Sequence, residues 1–177
     1  MSKITVATIW LDGCSGCHMS FLDMDERLMQ LAEKIELVYS PLVDIKEFPE
    51  SVDIALVEGS VSNTDDLEKI RKVRTHARYL VSLGDCAVTG NVPGMRNPQG
   101  TAPMLHRAYH ENATLQQGIP SRQVPALLPV VLPVHQAVPV DLVVPGCPPS
   151  ADTIYYTLCE LLEGRIPDLA QRTRFGA

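Results

Sequence analysis

The feature that most constrains the fold of this 177-residue chain is a series of short apolar runs. The runs are rich in Val, Ile and Leu and nearly continuous, which is typical of strands buried on both faces of a parallel sheet. They cover residues 4–10, 52–58, 79–85 and 141–146, with a shorter candidate at 36–40. Helix-like segments alternate with them. The sequence therefore predicts an α/β fold with a flavodoxin-like, doubly wound parallel sheet.

The helix-like segments have apolar residues at helical spacing and acidic residues near their starts, where the helix dipole favours negative charge. Serine and threonine at their N-termini and a glycine at one C-terminus are typical helix caps. The predicted helices are residues 18–34, residues 65–76 with Thr64 as N-cap, and residues 151–163 with Ser150 as N-cap and Gly164 at the end.

Four of the five cysteines lie just past the ends of apolar runs. Cys14 and Cys17 form a C-S-G-C motif after the first run, and Cys86 and Cys147 each follow a later run. Because the carboxyl ends of parallel strands meet at one edge of a sheet, where such folds bind ligands, we expect the four thiols at one site. Four thiolates are a ligand set for an iron–sulfur cluster or, as an alternative, for a zinc ion.

The residues beside these cysteines agree with a cluster site. Gly13 and Gly16 bracket Cys14, so the backbone can wrap closely around a cluster and direct N–H groups at its sulfurs. Two prolines follow Cys147, which stiffens the turn and prevents helical continuation. A C-x-x-C motif alone would also suit a thioredoxin-like redox pair, and the two further cysteines at strand ends favour the cluster.

Four motifs in combination resemble the small subunit of nickel–iron hydrogenases, and most closely the short type found in cytoplasmic NAD-reducing hydrogenases. They are WLDGCSGCH at 10–18, VEGS at 57–60, GDC at 84–86 and PGCPP at 145–149. The resemblance implies that the four cysteines bind the proximal [4Fe–4S] cluster and that Glu58 lies close to it. It also implies a Ni-Fe centre on a separate large subunit, and diaphorase subunits with flavin and iron–sulfur clusters that reduce NAD. For Glu58, a carboxylate that caps nearby backbone is the alternative.

Other interpretations stay open at this point. The related subunit of respiratory complex I, a quinone-linked electron carrier, uses two adjacent cysteines, whereas this chain has C-x-x-C. A zinc-stabilised structural subunit would use the same thiols. FMN is a further candidate at this edge, with Trp10 or Tyr39 stacking on its ring, although no phosphate-cradling Ser/Thr loop follows the first strand. Two further residues are expected to bind no metal. We expect His18 to open a helix. We expect Cys159 to be a buried structural thiol, which leaves ligands for one cluster.

Composition and charge limit the kinds of partner, the number of domains and the location that we expect. A net charge of −6 argues against nucleic acid, and 45% hydrophobic residues over this length predict a single globular domain, residues 1–177. No apolar run is long enough to span a membrane, and the first strand begins too early for a secretory signal. We therefore expect a cytoplasmic protein, in which thiols stay reduced and are available as ligands.

A Pro-rich segment, residues 92–139, interrupts the α/β rhythm. We predict that it is a long insertion between the strands that precede Cys86 and Cys147, with a helical stretch at about 102–111. Long loops in compact domains are usually functional, so we expect this one to help dock the large subunit. Its Arg96, His106 and His110 are expected to be ordinary loop residues. The apolar side chains expected at the docking surface are Trp10, Leu11, Met95 and Pro98.

Overall fold

The computed structural model describes residues 3–175. The strands are β1 (Ile4–Trp10), β2 (Ile35–Tyr39), β3 (Val52–Glu58), β4 (Val61–Asn63), β5 (Ala77–Leu83), β6 (Leu127–Leu132) and β7 (Leu142–Val144). The helices are α1 (Gly16–Leu22), α2 (Glu26–Ala32), α3 (Thr64–His76), α4 (Asp85–Thr89), α5 (Asn91–Gly94), α6 (Thr101–His106), α7 (Val134–Ala137) and α8 (Ala151–Leu162), with a π-helical turn at Arg107–Glu111. No helix among the described residues is both long and apolar enough to cross a membrane.

Five strands form a parallel sheet in the order β2-β1-β3-β5-β7. This is the flavodoxin-like order, in which the chain starts near the middle of the sheet and builds outward in both directions. The predicted doubly wound α/β fold is confirmed. All five strands point the same way, so the loops that follow β1, β3, β5 and β7 meet at one edge.

Apolar residues of the central strands pack on both faces of the sheet. In β3, Ile54 and Leu56 face a core that α1 and α8 complete, whereas Ala55 and Val57 face a second core that α3 and α7 complete. Successive residues of a strand point to opposite faces, so a strand covered on both sides needs apolar residues at every position. This double burial explains why the run at 52–58 is continuous rather than alternating.

The helices differ from the predictions in detail. The predicted single helix at 18–34 is wrong, because the chain breaks into α1 and α2 around Asp25, whose φ is +50°. The N-cap of α3 is Asn63 and not Thr64, since the Asn63 side chain accepts a hydrogen bond from the Asp66 N–H at 2.9 Å. Ser150 caps α8 as predicted, by accepting from the Thr153 N–H at 3.2 Å.

The Pro-rich segment carries more regular structure than a loop. The predicted helical stretch is confirmed as α6 and the π-helical turn, and the segment also contains α5, β6 and α7. β6 pairs antiparallel with β4 in a second, two-stranded sheet that was not predicted. The Arg96 guanidinium links the two strands of this sheet, because its Nη2 donates to the carbonyls of Ser62 in β4 at 3.0 Å and Leu128 in β6 at 2.9 Å.

Candidate functional site

Cys14, Cys17, Cys86 and Cys147 line one pocket at the carboxyl edge of the parallel sheet. Cys14 lies in the loop after β1, and Cys17 lies in the first turn of α1. Cys86 lies in the first turn of α4, directly after β5, and Cys147 lies in the loop after β7. The strand order thus brings together thiols from three distant parts of the sequence, as the positions of the apolar runs led us to expect.

The four thiols differ in depth. Cys17 is buried, Cys86 is partly buried, and Cys14 and Cys147 are exposed at the mouth of the pocket. Burial raises the pKa of the Cys17 thiol far above its ordinary value, and the negative charges of Glu58 and the other three cysteines act in the same direction. Burial, followed by Cys147 and Cys14, also raises the pKa of Cys86. Thiols bind metal as thiolates, so a bound cationic centre would have to supply the stabilisation that these buried thiols otherwise lack.

Glycines give the thiols the space that they occupy. A Cβ atom added to Gly84, whose φ is +84°, would lie only 2.2 Å from the Cys17 Sγ atom. A Cβ atom at Gly16 would lie 3.2 Å from the Cys14 Sγ atom. Close backbone approach to the thiol at Gly16 agrees with the sequence-based expectation, whereas Gly13 packs mainly against Gly59 and Glu58. Any residue larger than glycine at Gly84 or Gly16 would therefore occupy the space of the neighbouring thiol.

Asp85 joins the two later cysteine loops. Its Oδ1 accepts a hydrogen bond from the Gly146 N–H at 2.8 Å, and its own N–H donates to the Gly146 carbonyl at 2.8 Å. Asn91 Nδ2 donates to the Cys147 Sγ atom at 3.5 Å. These contacts fix the spacing of Cys86 and Cys147, and neither Asp85 nor Asn91 was identified from the sequence as a residue of the site. The only signal for Asp85 is its place beside Cys86 in the GDC motif.

The arrangement of donors distinguishes a cluster from a single ion. Within residues 3–175, no three His, Cys, Asp or Glu side chains are grouped as the ligands of one metal ion. A zinc ion needs its ligand sulfurs at about 2.3 Å from one point, whereas the four thiolates around a [4Fe–4S] cluster each bind a different iron. Because the four thiols line one pocket and no three of them are grouped as ligands of one ion, this donor set fits a cluster better than zinc.

Glu58 lines the same pocket, at the end of β3, and is 2% exposed. Its Oε2 accepts a hydrogen bond from the His18 backbone N–H at 2.9 Å and also contacts His18 Nδ1. The carboxylate therefore caps α1, whose own N-cap residue, Ser15, makes no side-chain hydrogen bond to the helix. The position of Glu58 beside the thiols agrees with the resemblance, and its capping contact agrees with the alternative weighed for it.

His18 has a larger role in the structure than the expected one of opening a helix. The side chain is buried, and its Nε2 shares a 3.0 Å hydrogen bond with Thr8 Oγ1. Thr8 Oγ1 in turn donates to Ser40 Oγ at 2.7 Å. A buried chain of polar side chains thus runs from the pocket across β1 to the end of β2. No periodic pattern in the sequence marks these contacts, since they join residues on three different elements.

The remaining candidates lie outside the pocket. Cys159 lies in α8 and packs against the core that contains Phe21, but it is partly rather than fully buried as expected. The rings of His106 and His110 stack 5.1 Å apart. Neither Trp10 nor Tyr39 lines the pocket. The ring centroid of Tyr39 lies 5.2 Å from that of Phe48.

Of the residues expected at the docking surface, Trp10, Met95 and Pro98 are exposed. The expectation for Leu11 is wrong, because its side chain is 6% exposed and belongs to the core.

Comparison with known proteins agrees with this geometry. Residues 14–161 match the family model described as NADH ubiquinone oxidoreductase, 20 Kd subunit. The chain is 45% identical over 172 residues to the NAD-reducing hydrogenase HoxS subunit delta of Cupriavidus necator, across 94% of this chain and 82% of that protein. It is 37% identical over 168 residues to a subunit of the vhu F420-non-reducing hydrogenase of Methanocaldococcus jannaschii, but spans only 58% of that longer protein.

Solved structures extend the match. A chain of an NAD+-reducing [NiFe]-hydrogenase in the H2-reduced state superimposes with a TM-score of 0.93 at 42% identity, over 98% of this chain and 99% of that one. A chain of the Dm. baculatum [NiFeSe]-hydrogenase gives a TM-score of 0.62 at 19% identity, over 99% of this chain and 70% of that one, and shares the fold alone. The resemblance to hydrogenase small subunits drawn from the four sequence motifs is confirmed.

Proposed function

Since the chain belongs to the family of the NADH ubiquinone oxidoreductase 20 kDa subunit, and within it to the hydrogenase small subunits, we propose that it is the electron-transfer small subunit of an NAD-reducing [NiFe] hydrogenase. The observation that carries the proposal is the single pocket lined by four cysteines from three distant segments. In this proposal Cys14, Cys17, Cys86 and Cys147 hold one [4Fe–4S] cluster.

The residues around the pocket have distinct tasks in this proposal. A bound [4Fe–4S] cluster supplies reversible one-electron transfer. Cys17 supplies a ligand from the buried side, and Cys147 supplies one from the mouth. Asn91 donates a hydrogen bond to the Cys147 sulfur, and such bonds help to set the potential of a cluster. Gly84 keeps the wall open behind Cys17, and Asp85 holds the Cys147 loop against α4.

A chain with one cluster would need one partner that supplies electrons and another that accepts them. The remaining cysteine, Cys159, lies in α8 outside the pocket, so the chain has ligands for a single electron-transfer centre. Electrons then enter from a Ni-Fe centre on a large subunit and leave to diaphorase subunits with flavin and iron–sulfur clusters, which reduce NAD. The 45% identity to a subunit of an NAD-reducing hydrogenase supports this acceptor. We place the complex in the cytoplasm, where thiols remain reduced before the cluster is inserted.

A complex I-like, quinone-linked carrier is the second candidate, and the description of the matching family favours it. The C-x-x-C spacing of Cys14 and Cys17 and the hydrogenase relatives favour our proposal over it. A zinc-stabilised structural subunit is disfavoured, because no three donor side chains among the described residues are grouped as ligands of one metal ion. FMN, the further candidate at this edge, is not part of the proposal; Trp10 and Tyr39, which were expected to stack on it, do not line the cysteine pocket.

Co-expression with the large subunit under anaerobic conditions tests the proposal. We expect a brown complex with about four iron atoms and four acid-labile sulfides for this chain beyond those of its partners, and a visible absorption that dithionite bleaches. Purified diaphorase subunits should then couple hydrogen oxidation to NAD reduction. A colourless chain that holds one zinc ion would contradict the cluster. A cluster that reduces quinones and not NAD would favour the complex I-like carrier.

A further inference from the structure

We propose that His18 is a positioning residue that holds the Glu58 carboxylate against the cysteine pocket and thereby sets the potential of the cluster bound there. The inference deepens the proposed function and rests on it, since it requires a cluster in this pocket. Neither His18 nor Glu58 binds metal in that proposal, and the two side chains contact each other in the structure.

His18 makes every side-chain hydrogen bond observed for Glu58 among the described residues. The backbone N–H of His18 donates to Glu58 Oε2 at 2.9 Å, and the ring Nδ1 contacts the same oxygen. On the other side of the ring, Nε2 bonds to Thr8, and Thr8 bonds to Ser40. Both ring nitrogens are therefore engaged, in a site where both side chains are buried. This network holds the ring, and the ring holds the carboxylate, in one orientation.

The other carboxylate oxygen lies against the first cysteine loop. A Cβ atom at Gly13 would be 3.3 Å from Glu58 Oε1, so this oxygen reaches the turn that leads into Cys14. The main chain is fixed as well, because the Leu11 N–H donates to the Glu58 carbonyl at 2.9 Å. Glu58 is thus clamped between the start of α1 and the C-S-G-C loop, and it can leave the pocket only if the contact to the His18 ring is lost.

The position of Glu58 matters because its charge reaches the thiols. Glu58 lines the cysteine pocket whereas His18 does not, and the Glu58 side chain is 2% exposed, so the carboxylate is the nearer of the two groups to a cluster bound there. A carboxylate in a poorly solvated pocket also opposes the addition of an electron, because like charges repel strongly where water is excluded. Glu58 therefore keeps the potential of the cluster low while His18 holds it in place.

Two substitutions of His18 separate positioning from simple packing. In His18→Asn the amide nitrogen takes the place of Nδ1 and keeps the bond to Glu58, whereas in His18→Gln it takes the place of Nε2 and keeps the bond to Thr8. We expect His18→Asn to leave the potential close to that of the wild type. We expect His18→Gln to raise it, because the carboxylate then loses the contact to the ring, keeps only the bond from the His18 backbone N–H, and is no longer held in one orientation. Glu58→Gln should raise the potential further.

The measurement is an EPR-monitored redox titration of the complex with its large subunit, with iron content determined for each variant. Because His18 acts through Glu58, His18→Gln should add no further shift in the Glu58→Gln background. Asp66→Asn is the control, since Asp66 is a buried carboxylate that does not line the pocket, and it should leave the potential unchanged. If His18→Gln loses its iron, Thr8→Val replaces it and should give a smaller shift in the same direction.

The inference would be overturned by equal shifts from His18→Asn and His18→Gln, by additive shifts in the double variant, or by a lower potential in Glu58→Gln. An unshifted potential in every variant, with a normal cluster in the wild type, would also refute the role of His18 and leave the proposed function intact. A wild-type complex without any iron–sulfur signal from this chain would instead refute the proposed function itself.

Discussion

The cysteine pocket and the Pro-rich segment use their side chains in opposite ways. Around the pocket, Glu58, His18 and Asp85 are polar, buried and hydrogen-bonded. In the Pro-rich segment, large apolar side chains face solvent, and they include Val92, Met95, Tyr109, Leu115, Ile119 and Val124. Buried polar groups that satisfy one another hold a single arrangement, whereas exposed apolar groups mark a surface that another protein can cover. One region has a fixed geometry, and the other offers contact area.

The largest expected effect comes from removing a thiol of the pocket. We expect Cys14→Ser, Cys17→Ser, Cys86→Ser and Cys147→Ser each to lose most of the iron bound by this chain, because a hydroxyl is a poor substitute for a thiolate ligand. Cys159→Ser is the matched control, since Cys159 lies outside the pocket, and it should keep its iron. Iron per chain in the purified complex decides the matter. Loss of iron in the Cys159 variant would show that the ligand set is wrong.

A pair of glycines compares the two regions directly. Gly84 and Gly100 both have positive φ, +84° and +75°, so alanine costs each position about 1 kcal/mol of backbone strain. Only at Gly84 does the new Cβ meet a thiol, whereas nothing lies within 4 Å at Gly100. We expect Gly84→Ala to reduce the iron content strongly and Gly100→Ala to leave it unchanged. Equal iron loss in both variants would mean that strain, and not the space around Cys17, limits the site.

Arg96 tests whether the two regions are independent. Arg96→Met removes the hydrogen bonds to the carbonyls of Ser62 and Leu128, so we expect a loss of about 1–3 kcal/mol in the free energy of unfolding. The iron content should stay normal, because Arg96 does not line the pocket. Thermal unfolding of the complex measures the loss, with the exposed Arg122 as the site of the control Arg122→Met. A cluster lost together with the β4–β6 pairing would show that the pocket depends on this second sheet.

The smallest effect on the folded chain is expected at the exposed methionines. Met95 in the Pro-rich segment and Met29 in α2 are both 74% exposed, so Met95→Asp and Met29→Asp should each change stability by less than about 0.5 kcal/mol. Only Met95→Asp, like Trp10→Asp, should weaken the complex with the large subunit. Co-purification yield and the dissociation constant report the difference. Equal weakening by Met29→Asp would move the proposed docking surface away from the Pro-rich segment.

The parts of the fold that could be predicted are those with a local signal. The bounds of β3 match the apolar run at 52–58, because a strand buried on both faces must be apolar throughout. The meeting of the four cysteines followed from their places after such runs. In contrast, β4 is three residues long and β6 contains Pro129, so neither resembles a typical strand. Each forms a strand only because it pairs with the other, which lies in the other half of the chain.

The polar contacts of the site were beyond prediction for a similar reason. Glu58 and His18 are 40 positions apart, and Asp85 and Gly146 are 61 positions apart. Each pair forms because the order of the strands makes their loops neighbours, and no spacing along the sequence records that order. A family resemblance placed Glu58 near the cluster, but it did not identify His18 as the residue that holds it.

The strand order also decides when this site can exist. Its ligands lie on loops after β1, β5 and β7, about 60–70 residues apart along the chain, so closing these loops carries an entropic cost that grows only slowly with their length. A nascent chain on the ribosome has no complete site until β7 has been made and has joined the sheet beside β5. Under the proposed function, insertion of the cluster would therefore be a late step in biogenesis, and a cell that delivers clusters only to complete sites would load only chains whose sheet is complete.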